Sequence, residues 1–190
     1  MSTIAWPTNL TPRSASLRLQ TVQRVHASPF GGSEQVVDLL NDRWLLSLDL
    51  NARGGFDEGA KVEAFLAAMR GQSNVVALWH FARPTVRGTL ASATCASVAQ
   101  GANAVVLTGS GTLKAGDMLG ISGLLLQVAS DVTVGSGTSV PVVNRLRTAV
   151  SGAVTLVKPT ANFRLASPNA SVMYSPCITE AVSIDFAEAI

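Results

Sequence analysis

The chain has 190 residues, of which 47% are hydrophobic and 14% charged, with a net charge of +2. That apolar content excludes disorder as the main state, and the small, scattered charge gives no electrostatic case for specific nucleic-acid binding. No apolar stretch reaches the ~18 residues of a transmembrane helix, so no membrane span is expected. Charged residues fall well below the roughly 25% usual in soluble domains. Eleven of the fourteen cations are arginine, a residue suited to protein interfaces and bidentate carboxylate pairing. The composition fits an assembly subunit or a small monomer with a Ser/Thr-rich surface.

The opening residues, MSTIAWPTNLTPRSAS, lack a basic start followed by an apolar run. The expectation is a soluble protein with no signal peptide, made in a cytoplasm. Pro7 and Pro12 make residues 1–13 read as an extended arm. From Ser16 to Val25 the residues alternate, with Leu17, Leu19, Thr21, Gln23 and Val25 on one face, as in a half-buried strand. SPFGGSEQV, from Ser28 to Val36, then places a proline, a phenylalanine and two glycines between two strands. In the next stretch Trp44, Leu46, Leu48 and Leu50 share a face, and Asn41-Asp42 has the chemistry of a turn. Two strands are therefore expected there, the second of them long.

A helix is predicted over about 57–70. Asp57 is its expected N-cap, Glu58 suits the positive end of the dipole, and Gly71 can take a left-handed position after the last turn. Val62, Phe65, Leu66 and Met69 form its apolar stripe. Asn74–Phe81 is an apolar run expected as a central strand. From about Gly88 to Ala166 short Val/Leu/Thr runs alternate with GSG, ISG, GSGTS and SGA, the texture of a small β-barrel or sandwich. Val182, Ile184 and Phe186 face one way and Ser183 and Asp185 the other, as in a returning strand. The predicted fold is mainly β, a β-rich α+β class with one helix.

Residue types that carry chemistry do not converge. His26 and His80 stand alone, and no Cys/His cluster has metal-ligand spacing. The glycine-rich pieces Gly109–Asp117 and Gly135–Val140 lack the spacing and the following helix of a phosphate loop. Asp38, Asp42 and Asp49 lie in one short region, as a glycosidase's carboxylates can, but with twelve acids in the chain such proximity is ordinary. Cys95 and Cys177 are far apart and read as two free thiols rather than a disulfide. No catalytic residue, metal ligand or cofactor is assigned, and the chain is not expected to be an enzyme.

Several segments in order resemble a known family. SPFGGSEQVVDLLNDRWLLSLDL resembles the S-P-F-[TS]-G-x-x-Q…W-x-x-x-[LV] opening of distal tail (baseplate-ring, tail-tip) proteins of long-tailed bacteriophages. KVEAFLAAMRGQSNVVALWHFARPTVRGT resembles the helix, apolar strand and Pro/Gly segment that follow there. LKAGDMLGISGLLLQVASDV, VPVVNRLRTAV and AVTLVKPTANFRLAS resemble the family's second β unit. Gly31 departs from the usual Thr or Ser, and the helix lacks a tryptophan often found near its start.

The resemblance, which covers residues 14 to 190, implies a ring domain, a β-sandwich or split barrel with one helix, from residues 1–87 with 167–190. It implies an inserted small β-barrel or sandwich domain at 88–166, with the final strand closing the first domain. It further implies a virion structural protein at the tail tip, synthesised in the bacterial host cytoplasm. The partners would be copies of itself in a ring, commonly of six, and the tube, hub and fibre proteins. Candidate interface residues are Phe30, Arg145 and Arg147. Candidate core anchors are Trp44, Phe65 and Trp79. The alternative from a different class is a carbohydrate-binding β module, with the insertion recognising host-surface glycan. Such sites use exposed aromatics, and residues 88–166 offer only Phe163.

Overall fold

A computed structural model describes residues 2–8, 10–27 and 31–189, and at Leu40 the backbone alone. In chain order come β1 (Thr3–Ile4), β2 (Ser14–Ala27), β3 (Glu34–Leu50), β4 (Arg53–Gly54), the helix α1 (Asp57–Met69) and β5 (Val75–Leu78). Then follow β6 (Ala93–Val98), β7 (Ala104–Gly109), β8 (Gly111–Leu113), β9 (Met118–Ile121), β10 (Leu124–Gln127), β11 (Val132–Val134), β12 (Thr138–Pro141) and β13 (Val150–Thr155). The last four are β14 (Ala161–Leu165), β15 (Tyr174–Ser175), β16 (Ile178–Thr179) and β17 (Val182–Glu188). The fold is mainly β with one helix among the described residues, the predicted class.

The first sheet has the order β1-β5-β14-β17-β3-β2. Period-two alternation buries Trp44, Leu46, Leu48 and Leu50 of β3. Val182, Ile184 and Phe186 of β17 are buried beside them, with Ile184 opposite Leu48 and Phe186 opposite Leu46. The helix lays Val62, Phe65, Leu66 and Met69 into the same core. Of residues 1–13, expected as an extended arm, the described ones instead return onto this core. Thr3–Ile4 pairs in parallel with Val75–Val76, the Trp6 ring stands edge-on to Phe65 at 5.2 Å, and Leu10 is buried. Burial of Leu10, with partial burial of Ile4 and Trp6 against the same core, favours that return.

Three further expectations change. Asn41-Asp42 is not a turn, because β3 runs unbroken from Glu34 to Leu50 and absorbs these residues in a bulge. Partners on both sides of the pair hold the strand extended, which outweighs a two-residue turn preference. Phe56, not Asp57, occupies the helix N-cap position, without a side-chain cap. Asp57 is the first helical residue, where its carboxylate still faces the helix dipole. At the other end Arg70 is left-handed at φ 47°, and Gly71 follows at φ 63°. Finally, β5 is buried but lies next to the two-residue β1 near the sheet margin rather than at its centre.

The second sheet, β10-β9-β13-β6-β7-β12, is drawn wholly from residues 93–155, with the β8/β11 pair beside it. It has its own core around Val105, Leu107, Leu119, Ile121, Leu126 and Val140. Strand β14, within the stretch 88–166 expected to belong here, pairs instead with β5 and β17 of the first sheet. Its alternation puts Ala161, Phe163 and Leu165 into the first core. Gly88 enters this region against the backbone, where an added Cβ would lie 1.8 Å from the Thr112 carbonyl oxygen.

Candidate functional site

The most conspicuous surface is built by β2 and β3. Up to Gln20 the two strands lie in the first sheet. There the register shifts, with Gln20 opposite Arg43 but Val22 opposite Leu39, so that Leu40–Asp42 stand against Thr21 alone. Beyond this bulge, Val22–Ala27 and Glu34–Leu39 continue as a two-stranded ribbon with no third strand among the described residues. Every one of these residues except Val22 is exposed.

Directly opposed residues share a face of the ribbon. One face carries Val22, Leu39, Arg24, Val37, His26 and Gln35, and the other Gln23, Asp38, Val25, Val36, Ala27 and Glu34. Val25 is 57% exposed and Val36, its direct partner, 55%. A two-stranded ribbon with valines bare on both faces is marginal in water by itself. Two residues before β3, Gly32 has φ 60°, a left-handed position that suits glycine. Candidate residue Phe30, with Ser28 and Pro29, lies outside the described residues.

The base of the arm is clamped to the second sheet. Arg145 reaches Asp38 at 3.4 Å across a partly exposed pair, worth about 1 kcal/mol at most. Deeper in, Arg147 Nη2 donates to Glu188 Oε1 at 2.5 Å. The other oxygen of Glu188 accepts the Trp44 backbone N–H at 2.9 Å. The Trp44 indole N–H donates to the Leu125 carbonyl at 2.8 Å, and Asn144 Nδ2 donates to the same oxygen at 3.0 Å. Burial pushes the Glu188 carboxyl up, and the Trp44 N–H and the Arg147 guanidinium only partly offset it. Two buried polar atoms have no hydrogen-bond partner among the described residues, Arg147 Nη1 and Asp42 Oδ1.

The sequence-derived candidates thus separate. Trp44 and Phe65 are buried in the first core, and Trp44 also ties that core to the second sheet. Trp79 is half-buried, stacked near Phe81 at 4.7 Å with the Lys158 ammonium 5.1 Å from its ring centre. Arg145 keeps an exposed head at the arm's base, whereas Arg147 is taken up inside the chain by Glu188. Glu188 was not singled out from sequence, although a signal existed. It falls in step with Val182, Ile184 and Phe186, so alternation carries a carboxylate to the buried face, and a buried carboxylate requires a partner.

Elsewhere the outer face of the first sheet is polar. Ser14 donates to Asp49 at 2.5 Å and Ser47 to Asp185 at 2.6 Å. Hydrogen bonds from Ser14 and Ser183 hold the Asp49 carboxyl below its usual range. Open depressions of about 460 and 490 Å³ lie on this face. His80 is buried, and burial followed by the charge of Arg83 keeps its imidazole toward the neutral form. Its Nδ1 accepts the Arg83 backbone N–H at 3.1 Å. Cys95 is buried and Cys177 exposed, both as free thiols. Among the described residues no three His, Cys, Asp or Glu side chains are grouped to hold a metal ion. No protein-family model matches the chain, and a search of curated proteins finds no significant match.

Proposed function

We propose that this chain is a structural subunit of a bacteriophage tail tip, which assembles with copies of itself into a ring and acts through interfaces rather than catalysis. The observation that carries the reading is the β2/β3 arm, whose valines are bare on both faces and whose ribbon lacks a third strand among the described residues. A surface of this kind is stable and soluble when another chain covers it. The low charge and the arginine bias favour the same reading. So does the chain order: a sheet with one helix is interrupted by a second sheet, then completed by the last strands, as the resemblance to distal tail proteins implies. The ring would sit at the virion tail tip between tube, hub and fibre proteins. The glycan-binding alternative gains no aromatic platform within 88–166, because Phe163 is fully buried in the first core.

The test is native mass spectrometry and negative-stain microscopy of the purified chain, with a Val37→Asp/Leu39→Asp variant alongside, both positions being exposed on the arm. Wild type should form rings or ring precursors. The variant should keep its melting temperature, since exposed substitutions usually move stability by no more than about 0.5 kcal/mol each, and should lose assembly. A chain that stays monomeric at tens of micromolar and is absent from purified virions overturns the proposal.

A further inference from the structure

A second exposed apolar surface lies far from the arm. Strands β4, β15 and β16 form a small sheet beside the N-terminal turn of the helix, with Ile178 opposite Gly54 and Tyr174 opposite Thr179. Phe56, just before the helix, packs its ring 6.1 Å from that of Tyr174. The Tyr174 hydroxyl donates to Glu63 on the helix at 2.9 Å. Gly59 makes this approach close, since a Cβ there would fall 2.3 Å from the Thr179 hydroxyl and 2.8 Å from the Tyr174 ring. Phe56, Met173, Tyr174 and Ile178 are nevertheless between 42% and 70% exposed. Of the ten large apolar side chains exposed among the described residues, four are these and four are on the arm.

The two surfaces cannot meet within one molecule. The arm is the leading end of β3 and β4 follows its trailing end. From Val37 to Leu50 an extended strand rises roughly 40 Å. Their charges are opposite where it matters. The arm face with Val22, Val37 and Leu39 carries Arg24, which has no ion-pair partner among the described residues. The small sheet's own cation, Arg53, is already paired with Glu58, and the acid at its border is Glu63, which accepts the Tyr174 hydroxyl. The other arm face carries Asp38 and Glu34, and Asp38 is already engaged by Arg145.

We infer that the arm of one copy docks, through its Arg24/Val37/Leu39 face, on the Phe56/Met173/Tyr174/Ile178 surface of the next copy. The inference rests on the assembly reading above and specifies its contact. Because the two surfaces differ and sit at opposite ends of β3, the contact is head-to-tail. Each copy has one arm to give and one surface to receive, so contacts of this kind repeat and close into a ring when the rotation allows. The occupant is a second copy rather than an unrelated protein, since donor and acceptor surfaces are present on the same chain with matching apolar content and opposite charge.

The full chain offers a direct test. Cys177 is exposed at the receiving surface and Cys95 is buried, so a Val37→Cys variant under mild oxidation should form intermolecular disulfides that a Val37→Cys/Cys177→Ser variant does not. In parallel, Arg24→Glu should weaken assembly at least tenfold by sedimentation, and Glu63→Lys added to it should restore assembly. Oligomers that form normally in Arg24→Glu, with no disulfide to Cys177 in the Val37→Cys variant, overturn this contact and leave the assembly reading standing. Monomers at every concentration overturn both.

Discussion

Arg147→Met tests whether the seam between the two sheets depends on a compensated buried charge. The Arg147 and Glu188 side chains are 12% and 3% exposed, so solvent screens the pair little. Removing the guanidinium leaves a buried carboxylate whose strongest remaining partner is the Trp44 N–H. Breaking a buried pair in this way costs about 3–5 kcal/mol. The pH dependence has a definite sign. Glu188 has a raised pKa in the folded state, so its contribution is fully present below the unfolded value near ~4.3 and is lost as pH rises through the folded value. Arg147 is one of the groups holding that folded value down, so the variant extends the loss to higher pH. The deficit should therefore be largest at pH 8 and shrink toward pH 5. Adding Glu188→Gln keeps an oxygen for the Trp44 N–H without the charge and should recover most of the loss. Urea denaturation followed by tryptophan fluorescence at fixed protein concentration gives all three values. A deficit below about 1 kcal/mol at pH 8, independent of pH, or a double variant less stable than the single one, would refute the reasoning.

Gly88→Ala should destabilise the protein by about 1–3 kcal/mol or more, because the new methyl would meet the backbone of Thr112 rather than a side chain able to move; chemical denaturation reads it directly. Asp117→Asn should cost about 2–3 kcal/mol at pH 7 from lost charge-assisted hydrogen bonds. Burial raises the Asp117 carboxyl, but backbone N–H groups of Lys114 and Arg87 and the Arg87 side chain outweigh it and set the net shift downward. Its contribution is present above the unfolded pKa and is lost as pH falls through the folded one, so the gap between variant and wild type should begin to narrow below about pH 4 and close only below the lowered folded value.

Much of the first sheet could be read from alternation alone, because β3 and β17 each bury one face and expose the other. The helix was equally legible from its stripe. What failed was punctuation. Asn41-Asp42 has turn chemistry, yet neighbouring strands supply hydrogen bonds along β3 that a local preference cannot foresee. The boundary at 166 failed for a related reason. FRLAS reads like the short strands before it, and only pairing with β5 and β17 distinguishes it. The arm was half visible. Its polar alternation looked like a half-buried strand, and nothing local reveals that the supporting sheet ends at Gln20. The Glu188 clamp needed both an alternation argument and a partner far earlier in the chain.

The position of β17 also bears on how the protein is made. It lies between β14 and β3, yet it is the last of the sheet's strands in chain order. On the ribosome, every strand of the second sheet has been synthesised once Thr155 is reached. The first sheet still lacks its middle member for the few seconds that Glu188 takes to follow at roughly 5–20 residues/s. Throughout that interval Leu46 and Leu48 have no Phe186 or Ile184 opposite them, and the inner edge of β3 stays unpaired. The second sheet is therefore free to close early beside an unfinished neighbour, and the first sheet can close only after Glu188 has been synthesised.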